Sequence, residues 1–321
     1  MRTLFPFVLA VGIGAALTAQ DLRRGIADAD LVAVGRQVGK RPVGEALVLH
    51  RVQVVKKLIG TTEATAVVVL DWPKLAMHNR PSPRQSRLYC LRDASATAAR
   101  LGLSATEGPY YQMVGWAGSS PLIGADLDRD PIVAFAGIFA RSAAGASAEA
   151  TAGELAEVAA QGHASVRVEA ARYLTERGDL RASLAPVQWS RLVARATGET
   201  ADVPYKIALA ELCGEQAIFG IVDALAASLG PVEDPEFART VGRIATALHG
   251  EAATSVLEKR LVHLDRPADR AAVLRAIGAT NTRSALALLL RLNGRGADEA
   301  VEAALGEHRS PEARDAIAHK R

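Results

Sequence analysis

The chain has 321 residues, of which 49% are apolar, 23% charged and only 4% aromatic. That much apolar surface excludes global disorder and supplies a sizeable core, spread by usual domain sizes over about two domains. The formal charge of +3 is too small for nucleic acid or an acidic membrane to be the main partner.

Met1-Arg2-Thr3 makes a basic start, and Leu4 to Leu17 carries no charge. The small residues Ala15, Ala16 and Ala19 then precede a charged stretch at Asp21, Arg23 and Arg24. That order is the layout of a secretory signal peptide, so residues 1–19 are expected to be one, cut after Ala19 or close to it. A membrane anchor wants about 20 consecutive apolar residues, and this run is shorter and broken by Gly12, Gly14 and Thr18. No Cys follows the run to carry a lipid, and no transmembrane segment is expected in the mature chain. The expected address is the periplasm, the cell envelope or the extracellular space.

Residues 20–140 are expected to form a β module, with the chain reading in strands from Ala29 to about Ile123. Leu31 to Gly35, Ala46 to Val55, Thr65 to Leu70, Arg87 to Leu91 and Tyr110 to Trp116 are apolar or β-branched runs, separated by clusters such as Asn79-Arg80-Pro81-Ser82-Pro83. In the second run Val48, His50, Val52 and Val54 share one face, and Leu47, Leu49 and Arg51 share the other. Strands so spaced, with no long helical pattern between most of them, predict a small antiparallel barrel or sandwich. A helix from about Asp130 to Arg141 leads out of it. Residues 141–153 are small and of low complexity, and are expected to be a linker or a poorly packed first turn.

From residue 154 to 321 the apolar period becomes 3.6. Apolar stripes end near Gly178, Gly214, Gly250, Gly278 and Gly306, each glycine placed where a left-handed helix stop would stand. A second apolar helix follows each stop, the last of them short and polar. Aligning Leu174, Leu212, Leu248, Ile277 and Leu305 gives intervals of 38, 36, 29 and 28 residues. A helical pair recurring at that size predicts an α-solenoid of about five hairpins, in which each pair buries its apolar face on its neighbours. Leu248 and Ile277 are both expected in its packed interior. The fold class is therefore α+β multidomain: a β module, then the solenoid.

Within this half, His163 to Leu174 resembles the first helix of the HEAT-like repeats named after bilin lyases, with a Val-Arg pair at Val166-Arg167, then Ala170-Ala171, then Leu174. The later repeats keep the Ala/Leu spacing without the Val-Arg pair, so the resemblance covers about half the chain and implies architecture. That family holds lyase subunits and many binding scaffolds; no residue here specifies a bilin. Asp30 to Gly35 and Val54 to Gly60 are similar to small β-barrel modules of exported bacterial proteins.

A search for chemistry returns little. There is no Gly-rich phosphate loop, no nucleophile elbow and no His-Glu-x-x-His. The seven histidines stand at no metal-ligand spacing, and no cofactor is expected. Asp126, Asp128 and Asp130 begin like a calcium loop, but lack its following Gly and its Glu; a helix cap at Asp130 with Pro131 in the first turn accounts for the same residues. Arg80, Arg84, Arg87 and Arg92 with Tyr89 form a basic stretch that a barrel could turn towards an anionic ligand, or leave as a solvated strand edge. Trp72, Tyr110, Tyr111 and Trp116 serve equally as a binding platform or as barrel core. Cys90 and Cys213 lie in apolar patterns of different halves and are expected to be buried free thiols. The expected function is an exported, non-enzymatic scaffold or adaptor that binds a protein partner through the solenoid. The alternatives are an enzyme or enzyme subunit with its site in the β module or at the domain junction, and an inhibitor of an exported hydrolase.

Overall fold

The computed structural model describes residues 22–72, 85–114, 121–200, 202–230, 234–264, 266–294 and 298–318. The expected signal peptide, residues 1–19, lies outside the described residues. The chain divides into two compact units, Met1–Ala170 and Ala171–Arg321.

The first unit holds five strands: β1 (Leu31–Val43), β2 (Leu47–Ile59), β3 (Ala66–Asp71), β4 (Ser86–Asp93) and β5 (Tyr110–Met113). They close into a barrel in the order β1-β2-β3-β5-β4, with β4 returning to β1. Every pair is antiparallel except β3 with β5. A parallel pair needs a crossover, and the chain supplies one through β4, the helix α1 (Ser95–Arg100) and a 3-10 turn at Ala105–Glu107. In the closed ring every strand has a neighbour on both sides, whereas residues 37–43 of β1 pair with β2 alone.

Alternation along the strands builds two cores. Leu31, Ala33, Val52, Val67, Val69, Tyr89 and Leu91 fill the barrel. On the opposite face Leu47, Leu49, Val68 and Leu70 pack under Ala94, Ala98 and Tyr110. β3 is thus buried on both sides, which is why Val67 to Leu70 reads as an unbroken apolar run. β1 is longer than its sequence signal. It continues through Arg36, Val38, Lys40 and Arg41, an outer arm of the β1–β2 hairpin whose side chains meet water and so carry no apolar period.

The helix leading out of the barrel is α2 (Pro131–Ala143), capped by Asp130 with Pro131 at its first position. Residues 141–153 contain the end of α2 and the opening of α3 (Ala148–Gln161), which Ser147 caps by accepting from the Ala150 amide. α4 (Ala164–Glu176) follows. The second unit continues with α5 (Gly178–Ala182), α6 (Pro186–Thr197), α7 (Val203–Glu215), α8 (Ile221–Ala227), α9 (Pro235–His249), α10 (Ala253–Leu261), α11 (Pro267–Thr280), α12 (Arg283–Asn293), α13 (Glu299–Glu307) and α14 (Pro311–Ala318). Alternate helices touch: α7 packs on α9, α9 on α11 and α11 on α13, while α6 meets α8 and α8 meets α10.

The five glycines expected as helix stops separate into different roles. Gly250 does end a helix, α9, at φ 54°. Gly178 opens α5. Gly214, Gly278 and Gly306 lie inside α7, α11 and α13, whose helices end one or two residues later. The left-handed positions are instead Ala217 (φ 52°) just past α7 and Asn281 (φ 55°) at the end of α11. Two of the internal glycines mark helix crossings, as does Gly242 in α9. A Cβ on Gly214 would meet Ile244 at 2.9 Å, and one on Gly242 would meet Ala279 Cβ, also at 2.9 Å. One on Gly278 would meet the Ala304 carbonyl carbon, likewise at 2.9 Å. Each contact reaches the next helix of the α7–α9–α11–α13 series. Small residues are needed where two helix backbones approach within a side chain's length.

Polar contacts join the ends of these helices. The Thr246 hydroxyl donates to the Thr280 carbonyl at 2.9 Å, and the Thr254 and Thr282 hydroxyls lie 2.6 Å apart in a buried site. His308 Nε2 lies 3.1 Å from the Thr282 carbonyl oxygen, and the Arg309 amide donates to Asn281 Oδ1 at 2.7 Å.

Candidate functional site

Among the described residues, those singled out in the barrel unit do not converge on one place. Arg80 and Arg84 lie outside the described residues, as does Trp116. Tyr89 is no platform for a ligand: it is 1% exposed inside the barrel, and burial pushes its hydroxyl up to about 12. Its position in β4 follows from alternation, since Leu88 and Cys90 face outwards from the barrel interior while Tyr89 and Leu91 fill it. Arg92 is exposed and donates to the Asp28 carbonyl at 3.4 Å. Tyr110 belongs to the outer core and donates to the Ser104 carbonyl.

Each carboxylate of the Asp126–Asp130 run has its own protein partner. Asp130 Oδ1 accepts from the Ile132 and Val133 amides, and its Oδ2 accepts from the Gly124 amide at 2.7 Å. Asp128 receives Lys56 Nζ at 2.8 Å, a bond that holds its carboxyl below the usual range. Asp126 accepts from the Asp128 amide and lies 3.7 Å from Arg129. Among the described residues no group of three or more His, Cys, Asp or Glu is placed to hold a metal ion. Asp130→Ala is therefore expected to cost about 2 kcal/mol through the lost cap. Thermal unfolding with and without added calcium checks this: the loss should be the same in both.

His50 and Asp71 form a second polar pair, with Nε2 3.1 Å from Oδ2 and both side chains nearly buried. Val48 to His50 and Val69 to Asp71 run as paired strands, so the two side chains point the same way. Cys90 and Cys213 are free, buried, and pushed up to about 12 by burial. A thiolate is the reactive form, so a thiol-specific reagent near pH 8 should find both silent in the native chain. Both should react at once after denaturation.

The second unit presents the more organised surface. The exposed side of α7, α9, α11 and α13 carries a charged side chain three residues before Gly214, Gly242 or Gly278, or one after Gly214, Gly242 or Gly306. These are Glu211 and Glu215 on α7, Arg239 and Arg243 on α9, Arg275 on α11, and Glu307 on α13. Spacing of four places such a pair on one helix face. Arg239 donates to Glu307 through Nε at 2.6 Å and Nη2 at 3.1 Å, and to Glu236 at 2.8 Å. These bonds strengthen its hold on the proton. Glu307 also lies 3.5 Å from Arg275. Arg243 lies 3.6 Å from Glu211 and 3.5 Å from Glu236, and donates to the Thr240 hydroxyl at 2.8 Å. α11 has Ala279 where α9 has Arg243. Most of these pairs are half exposed, so they contribute register more than stability.

Two clefts open on this side. One, of about 450 Å³, is lined by Glu211, Gly214 and Glu215 of α7, by Arg243, Ile244 and Leu248 of α9, and by neighbouring small residues. The other, of about 670 Å³, lies between Arg270, Leu274 and Arg275 of α11 and Asp298, Glu299 and Ala303 of α13. Each has an apolar floor and charged walls. Neither gathers an acid, a base and a nucleophile at hydrogen-bond distance, the arrangement that covalent or acid–base chemistry requires. Sequence reasoning passed over these side chains because a lone Arg or Glu on a helix reads as a solvated face. The signal available was their recurrence beside glycines that lie inside helices. Comparison with protein-family models, with curated proteins and with solved structures returned no match.

Proposed function

We propose that this chain is an exported, non-enzymatic scaffold. Its helical half is a solenoid of about five HEAT-like helical pairs that binds a protein partner on the side formed by α7, α9, α11 and α13. The observation that carries the reading is the pair of clefts along that helix series. A row of like helices, each packed on the next, offers an extended surface instead of a single pocket. The apolar floors provide area to bury, and the charged walls fix which partner fits. Export rests on the order of charge, apolar run and small residues in the first twenty positions.

The test is a crosslinking pull-down of the tagged full chain from the envelope or secreted fraction of the cells that make it, with partners identified by mass spectrometry. One dominant protein, recovered in proportion to the bait, is the expected result. Recovery of the mature chain with no enriched protein would count against the scaffold. N-terminal sequencing of the same material should begin at or near Gln20; a chain still starting at Met1 would refute export.

A further inference from the structure

The largest exposed apolar side chain among the described residues stands beside one of the two clefts. Phe219 is fully exposed, in the turn joining α7 to α8. An aromatic ring in water forgoes a large burial free energy, and nothing in this fold recovers it. The turn holds the ring out by two left-handed residues, Ala217 at φ 52° and Gly220 at φ 73°. The left-handed conformation is disfavoured for alanine, and Ala217 itself lines the 450 Å³ cleft. A projecting ring and a concave surface thus adjoin on one side of the molecule.

The cleft has an apolar floor of Gly214, Ile244, Ala247 and Leu248. Its α7 wall is acidic. Glu215 is exposed and has no hydrogen-bond or ion-pair partner among the described residues, and Glu211 has only the long 3.6 Å approach of Arg243. Among the described residues Arg243 is the one cation of the lining, and it is also faced by Glu236. The unanswered charge is therefore negative. Asp223, exposed in the first turn of α8, adds to it three residues after Gly220.

We propose that the α7–α8 turn and this cleft are one docking site for a basic segment of a partner protein. Phe219 enters an apolar pocket on the partner. An apolar residue of the partner covers the floor at Ile244 and Leu248, and a Lys or Arg beside it meets Glu211 and Glu215. Buried aromatic anchors ringed by charged contacts dominate binding in such interfaces. The inference rests on the scaffold reading above and adds the site and the chemistry of the partner.

The test places the photo-crosslinking residue p-benzoylphenylalanine at position 219 of the full chain, and separately at the exposed Val262 as a control, in cells that make the protein. The expected result is an adduct with one protein from position 219 alone, whose crosslinked peptide carries Lys or Arg next to an apolar residue. In the Glu211→Gln/Glu215→Gln background its yield should fall about tenfold, with the helical signal and thermal transition unchanged. Equal adducts from both positions, an acidic crosslinked peptide, or a yield indifferent to the charge change would each overturn the site. No adduct at 219, with a partner still recovered in the pull-down, overturns the site and leaves the scaffold standing. No adduct and no partner overturns both.

Discussion

Ile277→Asp is expected to unfold the second unit. Ile277 is wholly buried in α11, the helix that packs on α9 on one side and α13 on the other. An uncompensated carboxylate there costs several kcal/mol, of order 5, even after the site relaxes or the group takes up a proton. A domain of this size is stable by only about 5–15 kcal/mol. Circular dichroism should show much of the helical signal lost, or a transition lowered by more than about 10 °C. Leu248→Asp, which the repeat pattern ranks equally, is expected to do far less. Leu248 is half-buried at the lining of the α7–α9 cleft, where a new carboxylate keeps contact with water. Near-native melting of Ile277→Asp would contradict the packing of α11 described here.

Gly278→Ala and Gly306→Ala are expected to move stability in opposite directions, although both glycines sit late in a helix. Gly278 faces the Ala304 backbone so closely that an added methyl forces α11 and α13 apart. Overpacking of that kind costs about 3 kcal/mol, because backbone cannot swing away as a side chain does. Gly306 has nothing within 4 Å of the space a Cβ would take. Alanine there removes the entropic penalty of glycine in a helix and should add about 0.5–1 kcal/mol. Urea unfolding of the two variants beside the unaltered chain measures both signs. Two destabilised variants of equal size would show that α13 is placed wrongly against α11.

These glycines also show where the sequence could be read and where it could not. The change from strand to helix periodicity was visible in the apolar pattern, and so were four of the five strands to within a few residues, because both depend on which side chains face a core. The cap at Asp130 was visible because Asp before Pro at a helix start is a local signal. The role of Gly278 was not visible: a glycine that ends a helix and one that admits a neighbouring helix look alike in one dimension. Tyr89 was misplaced for a similar reason. It stands among arginines in the chain, but the pleat turns it inwards while Arg92 turns to solvent. The strand order of the barrel, with β5 between β3 and β4 and parallel to β3, was out of reach, since it depends on contacts between distant segments. The charged row on α7, α9, α11 and α13 is signalled in the chain by its recurrence beside glycines, but which of its members pair depends on the crossings that put those helices side by side.

The proposed protein partner engages the helix series and not the barrel. Hydrogen–deuterium exchange of the full chain, alone and saturated with the protein recovered in the pull-down, tests this most directly. Slowed exchange is expected in residues 207–223 and 236–248, the two walls of the α7–α9 cleft and the Phe219 turn, with β1 to β5 unchanged. Protection confined to the barrel strands, with α7 and α9 unaltered, would contradict it.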